Sequence, residues 1–242
     1  KGTELCLQYP VTKLLFKWHW LLKKRCVRLT AIVHDIESVR YTGKLSEEER
    51  EQLSCFDSII AHTPAMQELL ISSGISADRI RLLQLFDYLA TPPSPSPLNY
   101  QEGMPREVCF AGNLGKSLFL PELQQIVGAN LHILLYGVGL SEEVELSDEL
   151  QFKGKFAPDD LTLLRGHYGL VWDGDSITTC TGRIGEYLKI NAPHKASLYI
   201  AAGIPLIVWR HSAIAPYVLE HQLGIAVDSL LELPERLASI DI

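Results

Sequence analysis

Short apolar runs of four to seven residues alternate along the chain with longer segments whose apolar positions recur every three or four residues. The runs are strand-like and the segments helix-like, and their alternation predicts an α/β fold on mainly parallel sheet. Extended runs fall at 4–8, 28–33, 57–61 and 79–85, and then at 107–111, 130–136, 150–155, 168–172, 204–209 and 223–227. Helical segments are predicted at 11–25, on the spacing of Leu14, Leu15, Trp18, Leu21 and Leu22, and at 46–55, 64–73, 118–127, 158–165, 192–202, 213–220 and from 234. Ser46 with Glu49 three residues on predicts a capping box. Four prolines in the seven residues from Thr91 to Pro97 exclude a helix or a central strand there. Residues 91–105 are therefore predicted to link two α/β lobes, 1–90 and 106–242, that face each other across a cleft.

Composition narrows the class. With 22 Lys+Arg against 29 Asp+Glu the formal charge is −7, which argues against nucleic acid as the main partner, and 47% apolar residues argue against disorder. Cys6, Cys26, Cys55, Cys109 and Cys180 are odd in number and contain no C-x-x-C pair. That suits reduced thiols in a cytoplasm better than a disulfide framework or a zinc site. No apolar run approaches the roughly 20 residues of a membrane span. The chain starts at Lys1 and is already strand-like at Leu5, so the natural protein is expected to begin earlier. One segment reverses the overall charge. Residues 11–28 hold Lys13, Lys17, Lys23, Lys24, Arg25 and Arg28, with Phe16, Trp18 and Trp20 between them and no acid. This is either a surface for anionic lipid headgroups or, the plainer choice, a helix that solvates one face.

Ligands of open parallel sheets bind beyond the carboxyl ends of the strands. The residues to read are therefore His34-Asp35, Thr63, Gly112-Asn113, Gly137, Asp173-Gly174-Asp175 and Arg210-His211. Asn191-Ala192-Pro193 reads as a turn into a helix, whose open N–H groups, with His194 and Lys195 in the first turn, suit a phosphate. A surface lysine on an ordinary helix has the same spacing. Asp35 is the carboxylate nearest the expected cleft and hence the candidate base. His34 beside it is a base, a sugar-hydroxyl contact or a plain strand-end residue. Asp173-Gly174-Asp175 spells D-x-D, which can hold Mg²⁺ or Mn²⁺ through oxygen, but Asp and Gly also favour turns, and the turn is preferred.

The stretch N-A-P-H-K-A-S-L-Y-I-A-A-G-I-P-L-I-V-W at 191–209 resembles the donor-binding segment of bacterial GT-B glycosyltransferases. F-A-G-N-L-G-K-S at 110–117 is similar to the loop that opens their C-terminal domain, and I-V-H-D at 32–35 to an N-terminal strand end. The group resembled is that of the β-1,6-galactofuranosyltransferases of polysaccharide assembly and the streptococcal glucosyltransferases of serine-rich adhesins. The resemblance implies a GT-B type α/β fold of two Rossmann-like lobes, the N-terminal one incomplete in this chain. It implies a nucleotide-sugar donor, most often UDP-linked, on the C-terminal lobe, and a glycan or lipid-linked glycan acceptor on the N-terminal one. No cofactor is expected and a homo-oligomer stays open; the thiols favour a cytoplasmic setting, at the inner face of the membrane if residues 11–28 meet lipid headgroups. Carried over residue by residue, Asn191, Pro193, His194 and Lys195 hold the diphosphate, Gly112, Asn113 and Lys116 approach it from the first loop, and Tyr136 and Gly137 border the base. Leu198 stands where many such enzymes carry a ribose-binding Glu, which leaves Ser197 or the 173–191 loop for that contact. The expected chemistry is inverting, metal-independent hexosyl transfer, of galactofuranose or glucose. The rivals are a non-catalytic sugar- or nucleotide-binding module and a metal-dependent transferase that uses Asp173 and Asp175.

Overall fold

The computed structural model describes residues 2–12, 16–25, 27–91 and 103–240. Lys13, Leu14, Leu15, Cys26 and residues 92–102 of the expected linker lie outside them. The first lobe carries β1 (Glu4–Tyr9), β2 (Arg28–Val33), β3 (Ser58–Ala61) and β4 (Ile80–Leu82), parallel and in spatial order β1-β2-β3-β4. Its helices are α1 (His19–Lys24), α2 (Glu37–Thr42), α3 (Glu47–Ser54) and α4 (Pro64–Ser72). The second lobe carries β5 (Arg106–Asn113), β6 (Leu131–Val138), β7 (Leu150–Gly154), β8 (Tyr168–Val171), β9 (Leu206–Trp209) and β10 (Gly224–Val227). All pairings are again parallel, in order β10-β9-β8-β5-β6-β7. Its helices are α5 (Gly182–Tyr187), α6 (His194–Ala201), α7 (Ala215–Glu220) and α8 (Leu233–Ala238).

The strands match the apolar runs because parallel strands are covered on both faces and so read as continuous hydrophobic stretches. In the second lobe one face buries Phe110, Ile133, Leu170 and Trp172, the other Leu134, Val171, Tyr199 and Val208. Helices were read less well. Within segment 11–25 the described residues are helical at 16–17 and over α1, and Trp18 between them stands half-exposed in a turn rather than on a buried face. Segments 118–127 and 158–165 contain short 3₁₀ turns, Leu120–Gln125 and Leu161–Leu163, in place of α-helices. Pro121 removes a donor in the first, and in the second Asp160 accepts from Thr162 N at 3.0 Å, which closes a local turn. Two helices, α2 and α5, had no sequence signal.

Glu49 explains α2. Ser46 caps α3 as expected, accepting from Glu49 N at 3.2 Å, but the Glu49 carboxylate does not complete a capping box. It accepts instead from Glu37 N (3.1 Å), from Ser38 N (2.9 Å) and from the Ser38 hydroxyl, so it caps α2 from another helix. Burial and the Glu49 charge push the Tyr9 phenol far above its ordinary value.

Side chains from both lobes meet at the junction. Tyr187 of α5 is buried in the core of the first lobe, and its hydroxyl accepts from Ile36 N at 2.9 Å. The Thr63 hydroxyl donates to Ile190 O, and Ala192 N donates to His62 Nδ1 at 3.4 Å. The Phe86 ring stacks on His34 (4.6 Å) and on His194 (4.5 Å) and meets His62 edge-on (4.4 Å). Burial first, and then the neighbouring His34 and His194, lower the His62 pKa to about 4.

Two predictions follow from these contacts. Glu49→Ala should destabilise the protein more than Ser46→Ala, whose cap is worth about 1 kcal/mol, because Glu49 also caps α2; urea midpoints of the two variants compare them. His62 gives a pH dependence with a definite sign. Between about 6.5 and about 4 the unfolded chain holds a proton on His62 that the folded chain does not. Its contribution is therefore complete above that window and lost as pH falls through it. In urea titrations at pH 7.5 and pH 5, His62→Gln should show a smaller loss of stability than the parent chain.

Candidate active site at the lobe junction

The chain leaves β5 for β6 on one side and returns at β8 on the other, which makes the carboxyl end of β5 a topological switch point. Gly112 and Gly137 lie side by side there at φ +154° and +140°. A Cβ on Gly137 would sit 1.8 Å from Gly112 O, so only glycine lets the two strand ends pass. Above them begins α6. Pro193 is its N-cap rather than a first-turn residue, at φ −65°, and no side chain caps the helix. In its first turn Ala196 N donates to Pro193 O at 2.9 Å, and the His194 and Lys195 N–H groups have no partner within the helix.

Between these parts lies a cavity of about 510 Å³, lined by Gly112, Asn113, Tyr136, Gly137, Pro193, His194, Lys195 and Leu198, and also by Tyr88, Lys155, Phe156 and Pro158. Seven of the expected donor residues thus share one wall. Three do not. Lys116 is exposed on the turn Leu114–Lys116, Ser197 is buried in α6, and Asn191 lines a neighbouring pocket. Ser197 therefore does not line this wall, and Leu198 presents an apolar surface to it. The reading of the sequence missed Lys155 and Phe156, which follow edge strand β7 without a motif; the Phe156 ring meets Tyr136 at 5.9 Å and 78°. Asn113 Oδ1 accepts from Gly115 N at 3.1 Å and so shapes the first loop. Of the other strand-end residues, Thr63 caps α4, and Arg210 pairs with Asp228.

Lys195 is paired in this structure. Its ammonium donates to Asp173 Oδ1 (2.9 Å) and Trp172 O (3.1 Å) and lies 4.5 Å from the Phe110 ring centroid. The paired side chains are 14% and 18% exposed, so the cation stands in the wall with its charge already balanced. Asp173 is accordingly more than a turn residue. Asp175 lies against Gly182, where a Cβ would come within 2.3 Å of Oδ2. Among the described residues no group of three or more His, Cys, Asp or Glu is placed to hold a metal ion.

A smaller pocket, about 200 Å³, adjoins the cavity and shares Pro193, His194 and the Lys195 partner Asp173 with its surroundings. Its first-lobe wall is His34, Asp35 and Arg40; its second-lobe wall includes Tyr187 and Asn191. Arg40 pairs with Asp35 through Oδ1 and holds its guanidinium 5.0 Å from the Tyr187 ring centroid. His34 Nδ1 faces His194 Nε2 across the junction at 3.4 Å. Burial, then His34, lowers the His194 pKa. His34 Nε2 and Asn191 Oδ1 are buried without a protein partner. Leaving such atoms unpaired costs about 1–3 kcal/mol each.

The second lobe matches the family model of the glucosyltransferase 3-like C-terminal domain over residues 108–242, and the first matches the N-terminal domain of the same family over 1–85. β-1,6-Galactofuranosyltransferase WbbI of Escherichia coli K12 is 33% identical, over 98% of this chain and 69% of that protein. Glucosyltransferase 3 of Streptococcus gordonii is 25% identical, over 87% of this chain and 60% of that protein. Among solved structures, Anabaena HepE in complex with UDP superposes with a TM-score of 0.60 at 17% identity, over 97% of this chain and 68% of that one. The GtfA/B complex superposes with a TM-score of 0.56 at 13% identity, over 98% of this chain and 50% of that one. The two-lobed architecture is of the GT-B type. With both domain models matched in order along the sequence, the chain belongs to the glucosyltransferase 3-like family.

Proposed function

We propose that this chain transfers a hexose from a UDP-sugar to a hydroxyl group of a glycan acceptor, by inversion and without a metal. One observation carries the reading: a cavity roofed by an uncapped helix start opens beside a pocket whose far wall holds Asp35 from the other lobe. The names of the relatives, galactofuranosyltransferase and glucosyltransferase, support sugar transfer with galactofuranose or glucose as the sugar. The HepE structure in complex with UDP-glucose supports UDP as the carrier.

In this reading the base lies toward Tyr136 and Phe156, and the diphosphate takes the open N–H groups of α6. The hexose extends past His194 into the smaller pocket, between His34 and Asn191. Asp35 takes the proton of the acceptor hydroxyl as that oxygen attacks C1. The bond from C1 to the phosphate oxygen breaks, and UDP leaves with its electrons and its growing charge against α6 and Lys195. Asp173 and Asp175 are already engaged, with Lys195 and in the turn at Gly182, and the reading gives them no metal. A first test is UDP release from UDP-glucose and UDP-galactofuranose, which a binding module would not support.

Calorimetry with UDP separates the roles of the ion pair. Lys195→Ala leaves the Asp173 carboxylate unopposed beside the donor, so UDP affinity should fall about tenfold or more, a loss of roughly 1.4 kcal/mol. Asp173→Asn frees the ammonium and should tighten UDP binding, although it lowers the melting temperature. Unchanged affinity in both would place the diphosphate elsewhere. For Asp35→Asn, kcat should drop by about 10²-fold or more with the Kd for UDP retained, since a base acts in the transition state. Near-normal turnover would remove Asp35 from the mechanism.

A further inference from the structure

Residues 10–34 contain no acid in a chain of formal charge −7. The structure shows what that segment presents. Leu22 and Val27 pack on the first-lobe core, which fixes α1 by its inner side. Trp18 in the turn before α1 is 52% exposed and Trp20 on α1 is 50% exposed, and the cations Lys17, Lys24, Arg25 and Arg28 of the same segment are exposed as well. Lys24 Nζ lies 4.7 Å from the Trp20 ring centroid, so charge and indole share one surface. The only acid that pairs with this face among the described residues is Asp57, at 3.4 Å from Lys23. Large indoles left half in water, on a helix too short to hide them, are matched by a partner that is apolar beneath a negatively charged surface.

We infer that this flank of the first lobe docks on anionic lipid bilayers, with Trp18 and Trp20 at headgroup depth and the surrounding lysines and arginines on the lipid phosphates. Tryptophan favours that depth because one edge is apolar and its N–H remains wet, and nearby basic residues add attraction to an anionic leaflet. The charge of the remaining surface favours a planar partner. A flexible polyanion such as RNA would wrap onto the acidic parts of the chain and be repelled, whereas a bilayer meets only this face. The docking does not depend on the transfer chemistry, and it adds to that reading a lipid-linked acceptor held beside the first lobe.

Flotation of the full chain with vesicles tests it. Vesicles of phosphatidylcholine with an equal part of phosphatidylglycerol should carry the protein at low salt and release it at high salt, and vesicles of phosphatidylcholine alone should not carry it. Trp172 and Trp209 are buried, so quenching of tryptophan emission by brominated lipid reports Trp18 and Trp20 without any substitution. Lys17→Gln with Lys24→Gln should weaken vesicle binding by about tenfold, and Trp18→Ser with Trp20→Ser should abolish the quenching. Both should keep the parent Kd for UDP and the parent melting temperature. Equal binding to both vesicle types, no binding to either, or no quenching would overturn the inference. So would capture of single-stranded RNA with no vesicle binding, which would assign the face to nucleic acid.

Discussion

Everything at the site is placed by the reversal of strand order at β5. Because the chain turns to β6 on one side and to β8 on the other, no crossover covers the carboxyl end of β5, and a crevice must open there. The crevice is usable only because the strand ends are thin. At Gly112 and Gly137 the backbones come so close that a single methyl group would force β5 and β6 apart. The same approach brings Asn113 and Tyr136 to opposite edges of one cavity and leaves α6 to begin over its mouth. Topology makes the opening, glycine keeps it, and the helix start gives it polarity.

Charge is held in that opening with restraint. A partly buried ammonium with no partner would be costly, and the Asp173 contact removes most of that cost. What remains at rest is a nearly neutral wall with open backbone N–H groups, which attract an anion without the desolvation cost of a bare cation. The ion pair also joins the end of β8 to the first turn of α6, so the residue that balances Lys195 positions it as well. Any ligand that recruits the ammonium must compete with a carboxylate 2.9 Å away, which makes donor affinity sensitive to either partner.

The strands were legible because burial on both faces writes itself as unbroken apolar runs; 28–33 coincides with β2 to the residue. The strand-end residues Gly112, Asn113 and Gly137 followed from that alone, Tyr136 from the family resemblance, and α6 from its Asn-Ala-Pro turn. What stayed hidden was set by distant partners. The helix α2 depends on a carboxylate in α3, and the hydroxyl of Tyr187 in α5 is fixed by a backbone group of the other lobe. The Asp173 contact to Lys195 spans 22 positions, and a local reading of D-x-D saw only turn or metal. Lys155 and Phe156 enter the cavity because β7 is the edge strand beside β6, a fact of sheet order that no local motif encodes.

The junction between the lobes is built on imidazoles, of which burial lowers the pKa of His62 and His194. His34 and His194 present ring nitrogens to each other at 3.4 Å, which is tolerable only while at most one of them carries a proton. Phe86 lies against both rings, adding apolar surface that disfavours charge on His194. His62, held neutral by burial, accepts the Ala192 amide just before α6 and so ties the helix start to the first lobe. Protonation would remove that acceptor and add repulsion on the same short path. The contacts that close the cleft and the contacts that aim α6 at the cavity are therefore the same contacts. A change that loosens one lobe from the other also moves the N–H groups over the donor cavity, so closure of the lobes and the affinity of the cavity vary together.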